Sequence, residues 1–288
     1  MIKIITDSTS YIPQDLLEKY DITVLPLSVN IDGQEYLETD MTNAGFFKMI
    51  GEMSELPKSS PPKYESILEA FEKEVSAGKS IIGVFITSVA SETIQRANQA
   101  KQELLQKYPK ANITIIDSMN TGMALGIVAI AAAEAYTKGA WLEDVVEAAH
   151  AAVMRNRFLF VPKNLNQLQK SGRIGKARAI IGNAIQLVPL LTSIKGEINP
   201  FEMVRTRSKA IDRMLEIMKE DMDKFGVNKV VVSHIDDPEE ANILIKKIKD
   251  TLDIDADISE IGPVVGAAVG PGTIGLIYNT IDVHPLNE

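Results

Sequence analysis

The chain has 288 residues, a formal charge of −9 and no cysteine. Without cysteine it has neither a disulfide framework nor thiolate chemistry, and its acidic balance argues against nonspecific nucleic-acid binding, which needs a concentrated basic face. Its length favours two domains, and a hydrophobic content of 45% suffices for ordinary cores.

The opening run IKIIT ends at Asp7 and predicts a buried strand rather than a secretion signal. Pro13 stands at the start of a helix. ITVLPLSVNIDGQEYLE predicts two strands with a hairpin turn at Asp32-Gly33. Thr42 is placed to cap a helix over 43–53, and ELPKSSPPKYES reads as a loop. A helix over 64–76, the strand SIIGVFITS, the amphipathic helix SETIQRANQAKQELLQKY and the strand ANITIID follow. Helices over 121–136 and 141–155 complete the first half. Its most apolar stretch, 123–133, is shorter than the ~20 residues a membrane span needs and reads as a buried helix of a cytoplasmic protein. Beyond it come the short strand FLFV, a helix, the basic glycine-punctuated run SGRIGKARAIIGNAI, and a hairpin through Lys195-Gly196. A helix over 208–224, the strand KVVVSHID, the helix DPEEANILIKKIKD and the strand DADISEI lead to the loop IGPVVGAAVGPG and a last strand, TIGLIY.

Strand and helix alternate through the first half, which predicts a mostly parallel sheet with helices on both faces. The second half predicts another α/β domain, on a mixed sheet. The expected boundary gives an N-terminal domain over 1–156 and a C-terminal one over 157–288. Parallel sheets bind ligands beyond the carboxyl ends of their strands, where the polar clusters TDSTS, TSVASET and DSMNTG fall.

His150, His234 and His284 are scattered with no metal-ligand spacing, and no P-loop occurs. GAAVGPG is followed by a strand, not by the helix a dinucleotide loop requires. Asp7 in TDSTS reads either as a cap of the following turn or as the acid or nucleophile of an enzyme acting on a small phosphorylated or carboxylated substrate. The hydroxyls of SSPPKYES and TSVASET have no histidine base beside them, so they suit holding a carboxylate or phosphate rather than attacking it. Lys170, Arg173 and Lys176 form either a solvated face or an anion site centred on Arg173. The bare run IGPVVGAAVGPGTIGLIY reads as backbone that approaches a ligand closely, with glycines at 262, 266, 270, 272 and 275 and aliphatic residues between them to wall a tunnel.

Taken in order, IITDSTSYIPQDLLEKYDITVLPLSVNIDGQEY, SSPPKYESI, TSVASETIQRA, IIDSMNTGMALG, LQKSGRIGKA, PLLTSIKGEI, VRTRSKA and IGPVVGAAVGPGTIGLIY resemble the DegV family of bacterial fatty-acid-binding proteins, end to end. The resemblance implies two α/β domains gripping a fatty acid between them, with no catalysis and no cofactor of their own. It further implies that the acid is presented to an ATP-dependent fatty-acid kinase for phospholipid synthesis. By position, Ser59 and Ser60 match the family's Thr-Ser before proline, Ser91 and Thr93 its Ser-Gly-Thr motif, and Arg173 its Gly-Gly-Arg-Ile motif. The resemblance thus makes Ser60, Ser91 and Thr93 carboxylate contacts and Arg173 a residue facing the carboxylate or the kinase. Gly266 and Ala268 fall in the closing glycine-rich loop. Glu92 replaces a family glycine, Ser171 another, and Ala268 a histidine. A ligand of roughly C14–C20 would gain about 0.8 kcal/mol per buried methylene, so its tail supplies most of the affinity and the hydroxyls set orientation.

Overall fold

The computed structural model describes residues 1–53, 55–183 and 187–287, without the side chains of 180–183 and 287. The end of the basic run, 184–186, lies outside the described residues.

Along the chain come β1 (Ile2–Asp7), α1 (Gln14–Lys19), β2 (Thr23–Leu25), β3 (Ser28–Ile31), β4 (Gln34–Leu37), α2 (Asn43–Glu52), β5 (Lys58–Ser60), α3 (Tyr64–Ser76), β6 (Ser80–Phe85), α4 (Thr93–Lys107), β7 (Ile113–Asp117) and α5 (Met123–Thr137). The second half holds α6 (Leu142–Arg155), β8 (Asn156–Val161), α7 (Asn166–Ser171), β9 (Val188–Ile194), β10 (Glu197–Val204), α8 (Arg207–Phe225), β11 (Val227–Ile235), α9 (Pro238–Leu252), β12 (Asp257–Glu260), α10 (Pro263–Val269) and β13 (Thr273–Thr280).

The first sheet is parallel, in the order β2-β1-β6-β7. Its strands are buried on both faces, which is why they read as unbroken β-branched runs. Ile4, Ile82, Val84 and Ile116 join the core under α5 and α6, whereas Ile5, Ile81, Phe85 and Ile113 pack beneath α3 and α4. The second sheet is mixed, in the order β10-β9-β8-β13-β11-β12, with β11 and β12 its parallel pair. One of its faces, with Leu159, Val232 and Leu276, packs on α8 and α9. The other, with Phe158, Phe160 and Ile277, shares a single core with the first sheet. The helix between them is α5. It is apolar on every side, and it touches β1 and β6 on one flank and β8 and β13 on the other. The α/β architecture expected from the alternation, parallel then mixed, is the one observed.

Both expected hairpins form. Asp32 and Gly33 have φ of 50° and 85°, Lys195 and Gly196 of 49° and 83°, the left-handed pair that a two-residue turn between twisted strands requires. Three local expectations are corrected. ITVLPLSVNIDGQEYLE makes three strands, not two: Pro26 offers no N–H, so the run leaves the parallel sheet and β3 and β4 enter a third, antiparallel sheet, β4-β3-β5. KSS, expected as loop, is β5, a three-residue strand whose only warrant is its pairing with β3, Ser28 opposite Ser60. PVVGAAV, expected as loop, is α10. Pro263 sits at its first turn with φ already set, and the chain leaves through Gly270 at φ 104°.

Candidate functional site

Beyond the carboxyl ends of β1, β6 and β7, a chamber of about 630 Å³ opens between the first sheet's loops and the second sheet's face. Its apolar wall comes from Phe158 and Phe160 on β8, Ile86 after β6, and Val264, Val265 and Val269 on α10. Phe158 and Phe160 stand two residues apart on one face of β8, with ring centroids 5.2 Å apart. Gly275 on β13 is needed behind them, because a Cβ there would come within 2.9 Å of the Phe158 ring.

The polar wall comes from β5 and the strand-end loops. Ser59, Ser60, Ser91, Arg173 and Ala268, all singled out in the sequence, line the chamber. Thr93 and Gly266 are not among its lining residues. Thr93 is fully buried one layer back, its hydroxyl 2.9 Å from that of Ser91. Gly266 lies under Phe47, where a Cβ would meet the ring at 2.5 Å. Its bareness serves that helix–helix contact between α10 and α2.

The loops are held by carboxylates. Asp117 accepts from the Ser88 N–H (3.1 Å) and hydroxyl (2.6 Å) and from the Met119 N–H (2.8 Å), tying the loops after β6 and β7 together. Asp7 accepts from the Ile86 N–H at 2.8 Å and from the Thr9 N–H and hydroxyl at 3.0 and 2.5 Å. It is fully buried, does not line the chamber, and caps the turn Ser8–Ser10. Burial pushes its pKa up to about 6, against the lowering effect of these hydrogen bonds. Glu38 accepts from the Ser8 hydroxyl (2.5 Å), the Tyr11 hydroxyl (2.8 Å) and the Val264 N–H (2.9 Å), and so fixes the start of α10 to the first half. Burial raises its pKa in turn.

Arg173, exposed at the rim, donates to the carbonyls of Ser171 (2.9 Å) and Ala90 (3.5 Å), bridging the two halves. Glu92 does reach the chamber and stands 3.8 Å from Arg96. Asn120 and Thr121 are among the lining residues that escaped the sequence reasoning. The Asn120 Oδ1 and Thr121 Oγ1 atoms are buried with no hydrogen-bond partner among the described residues. Their signal was present in the cluster DSMNTG at a strand end, but nothing in it separated these two from the capping Asp117 and Ser118. Among the described residues no group of three acidic or histidine side chains could hold a metal ion, and no helix is long and apolar enough to cross a membrane.

Fold and chamber together define an α/β protein with a ligand-sized, largely apolar compartment between a parallel and a mixed sheet, rimmed by hydroxyls. Comparison with known proteins sharpens this. The DegV family model matches residues 1–280, and the chain belongs to that family. A DegV domain-containing protein of Clostridium acetobutylicum is 41% identical over 279 residues, 97% of this chain and 98% of that one. Among solved structures, a DegV family protein from Thermus thermophilus, described as fatty acid binding, superposes with a TM-score of 0.90 at 25% identity, over 97% of this chain and 99% of the other. A stearic acid-binding protein from Eubacterium ventriosum gives 0.89 at 29% identity, over 98% and 99%.

Proposed function

We propose that this protein binds a long-chain fatty acid, with its tail in the chamber and its carboxylate against the hydroxyls of Ser60 and Ser91. Ser59, Thr93 and Arg173 support them. The carrying observation is the chamber itself, in a fold shared with proteins named for fatty acids. At about 30 Å³ per heavy atom, roughly the liquid volume of one water, an acid of some sixteen to eighteen carbons needs on the order of 500–600 Å³. The chamber's 630 Å³ accommodates it. Burying about fourteen methylenes gains roughly 11 kcal/mol gross, against association costs of about 4–15 kcal/mol. Hydrogen bonds to the charged head add ~1.5–3 kcal/mol each, which fixes orientation more than affinity.

The protein acts in the cytoplasm as a carrier, holding its ligand between a lobe over 1–156 and one over 157–288. It presents the carboxyl to a fatty-acid kinase. Two features support carriage over catalysis: among the described residues no histidine lines the chamber, and Asp7 spends both oxygens on its own turn and on Ile86. Mass spectrometry of organic extract from the purified protein tests the reading. C14–C20 acids are expected. Their absence, together with no uptake of added acid, would overturn it.

A further inference from the structure

Arg96 lies one turn into α4, where its N–H closes the first helical turn on the Glu92 carbonyl at 3.0 Å. Its side chain, about one-third exposed, lines the chamber and makes two kinds of contact. Nη1 donates to the Pro62 carbonyl at 2.9 Å and to the Pro61 carbonyl at 3.4 Å. Nη2 stands 3.8 Å from Glu92 Oε2. Two consecutive prolines have no N–H with which to fix their own segment. The guanidinium supplies that fixing, and so holds the end of β5, which carries Ser60, against the start of α4, which follows Ser91.

Charge gives the second half of the argument. The chamber's lining includes two carboxylates, Glu92 and Glu197. Glu197 pairs with Lys176 at 3.0 Å. Arg173 spends its guanidinium on backbone carbonyls. Nearby Glu35 is taken by Lys63 at 3.2 Å and by the Ser28 hydroxyl. Among the described residues Arg96 is therefore the cation paired with Glu92, whose own side chain is 71% exposed at the chamber's edge. An unanswered carboxylate on the lining beside the proposed head-group site would oppose the binding of an anion.

We propose that Arg96 is a positioning and charge-compensating residue of the head-group site: it pins the 59–62 segment to α4 and cancels Glu92, so that the chamber accepts an anionic head beside a carboxylate. The inference rests on the fatty-acid reading above. The test compares wild type, Arg96→Met, Glu92→Gln and the double variant in binding hexadecanoic acid and hexadecanol, by displacement of a fluorescent acyl probe. In Arg96→Met the acid is expected to bind about tenfold more weakly while the alcohol changes less than about threefold. Glu92→Gln in that background is expected to restore most of the loss, a coupling between neighbours that a purely structural arginine would not show. Equal losses for acid and alcohol, no loss, or no rescue would overturn the proposal. Should Arg96→Met fail to fold, Glu92→Gln alone decides: with Arg96 left uncompensated it tightens the acid and not the alcohol, and an unchanged acid-to-alcohol ratio refutes the idea. A wild type that binds neither ligand would instead sink the fatty-acid reading.

Discussion

Val265 on α10 is the position at which the chamber's length is most directly tested. It is buried, lines the chamber, and belongs to the cluster that also holds Phe47 and Ile235. Val265→Phe adds about four heavy atoms, or roughly 120 Å³ at ~30 Å³ each. That is near one-fifth of the 630 Å³ available. A tail that runs past α10 must then give up about four buried methylenes. At ~0.8 kcal/mol each this is about 3 kcal/mol, or roughly a hundredfold in Kd. A decanoic acid, short enough to fit the reduced space, keeps its affinity to within a few-fold. Displacement titrations with decanoic and hexadecanoic acids read the difference, and thermal melting confirms folding, since overpacking costs ~1–3 kcal/mol. If a folded Val265→Phe binds hexadecanoic acid as wild type does, the tail does not lie along α10 and the volume argument fails.

Ser60→Ala with Ser91→Ala should weaken hexadecanoic acid by roughly a hundredfold or more while lipid still co-purifies; mass spectrometry and titration together check this, and unchanged affinity removes the two hydroxyls from the site. Gly266→Ala should destabilise the fold by ~1–3 kcal/mol in denaturant unfolding, because the new methyl meets the Phe47 ring at 2.5 Å. Asp221, on α8, accepts from Arg157 at 3.1 Å and from the Tyr278 hydroxyl at 2.5 Å; burial opposes its charge, yet bonds from His284 and Tyr278 and the Arg157 charge hold its pKa down at about 2. Asp221→Ala leaves the Arg157 cation buried without its ionic partner, and should cost ~3–5 kcal/mol by the same assay. For Asp7 the sign runs the other way. Its folded pKa, about 6, lies above the ordinary 3.8, so the native state binds the extra proton between these values. Its contribution is complete below pH 3.8 and is lost as pH rises through 6, worth about 3 kcal/mol at ~1.4 kcal/mol per tenfold. Asp7→Ala should flatten that part of the stability profile between pH 4 and 6.

Much of the architecture is written in periodicity. The β-branched runs IKII, IIGVF and ITII are doubly buried strands, and Asp32-Gly33 and Lys195-Gly196 announce their turns. The parts that were not legible depend on partners distant in the chain. β5 exists because Ser28 and Val29 lie alongside it, and no property of KSS foretells that. α10 was masked by its glycines. These read as loop-makers or ligand-facing backbone, whereas Gly266 is small for Phe47 and Gly262 for Glu38 and Tyr11. At the site, the hydroxyl clusters at strand ends were visible as clusters. Which of their members reach the chamber was not, since Ser91 and Thr93 are only two residues apart and the start of α4 turns Thr93 inward. Asn120 and Thr121 stand out only once the hydrogen bonds around them are known to pass them by.

The helix between the sheets restricts how any guest arrives. Because α5 is greased on all sides and glued to β1 and β6 as well as to β8 and β13, the molecule cannot open like a book along that seam without stripping a whole apolar cylinder, a cost on the order of 10 kcal/mol. On the fatty-acid reading, the acid is expected to enter at the periphery. There the two halves meet through slender ties: Arg173 to Ala90, Thr87 to the tip of the β9–β10 hairpin at 3.4 Å, and Ser193 to Met119 at 3.3 Å. Under the fatty-acid proposal the spine keeps the chamber's shape and the rim is the expected place of entry.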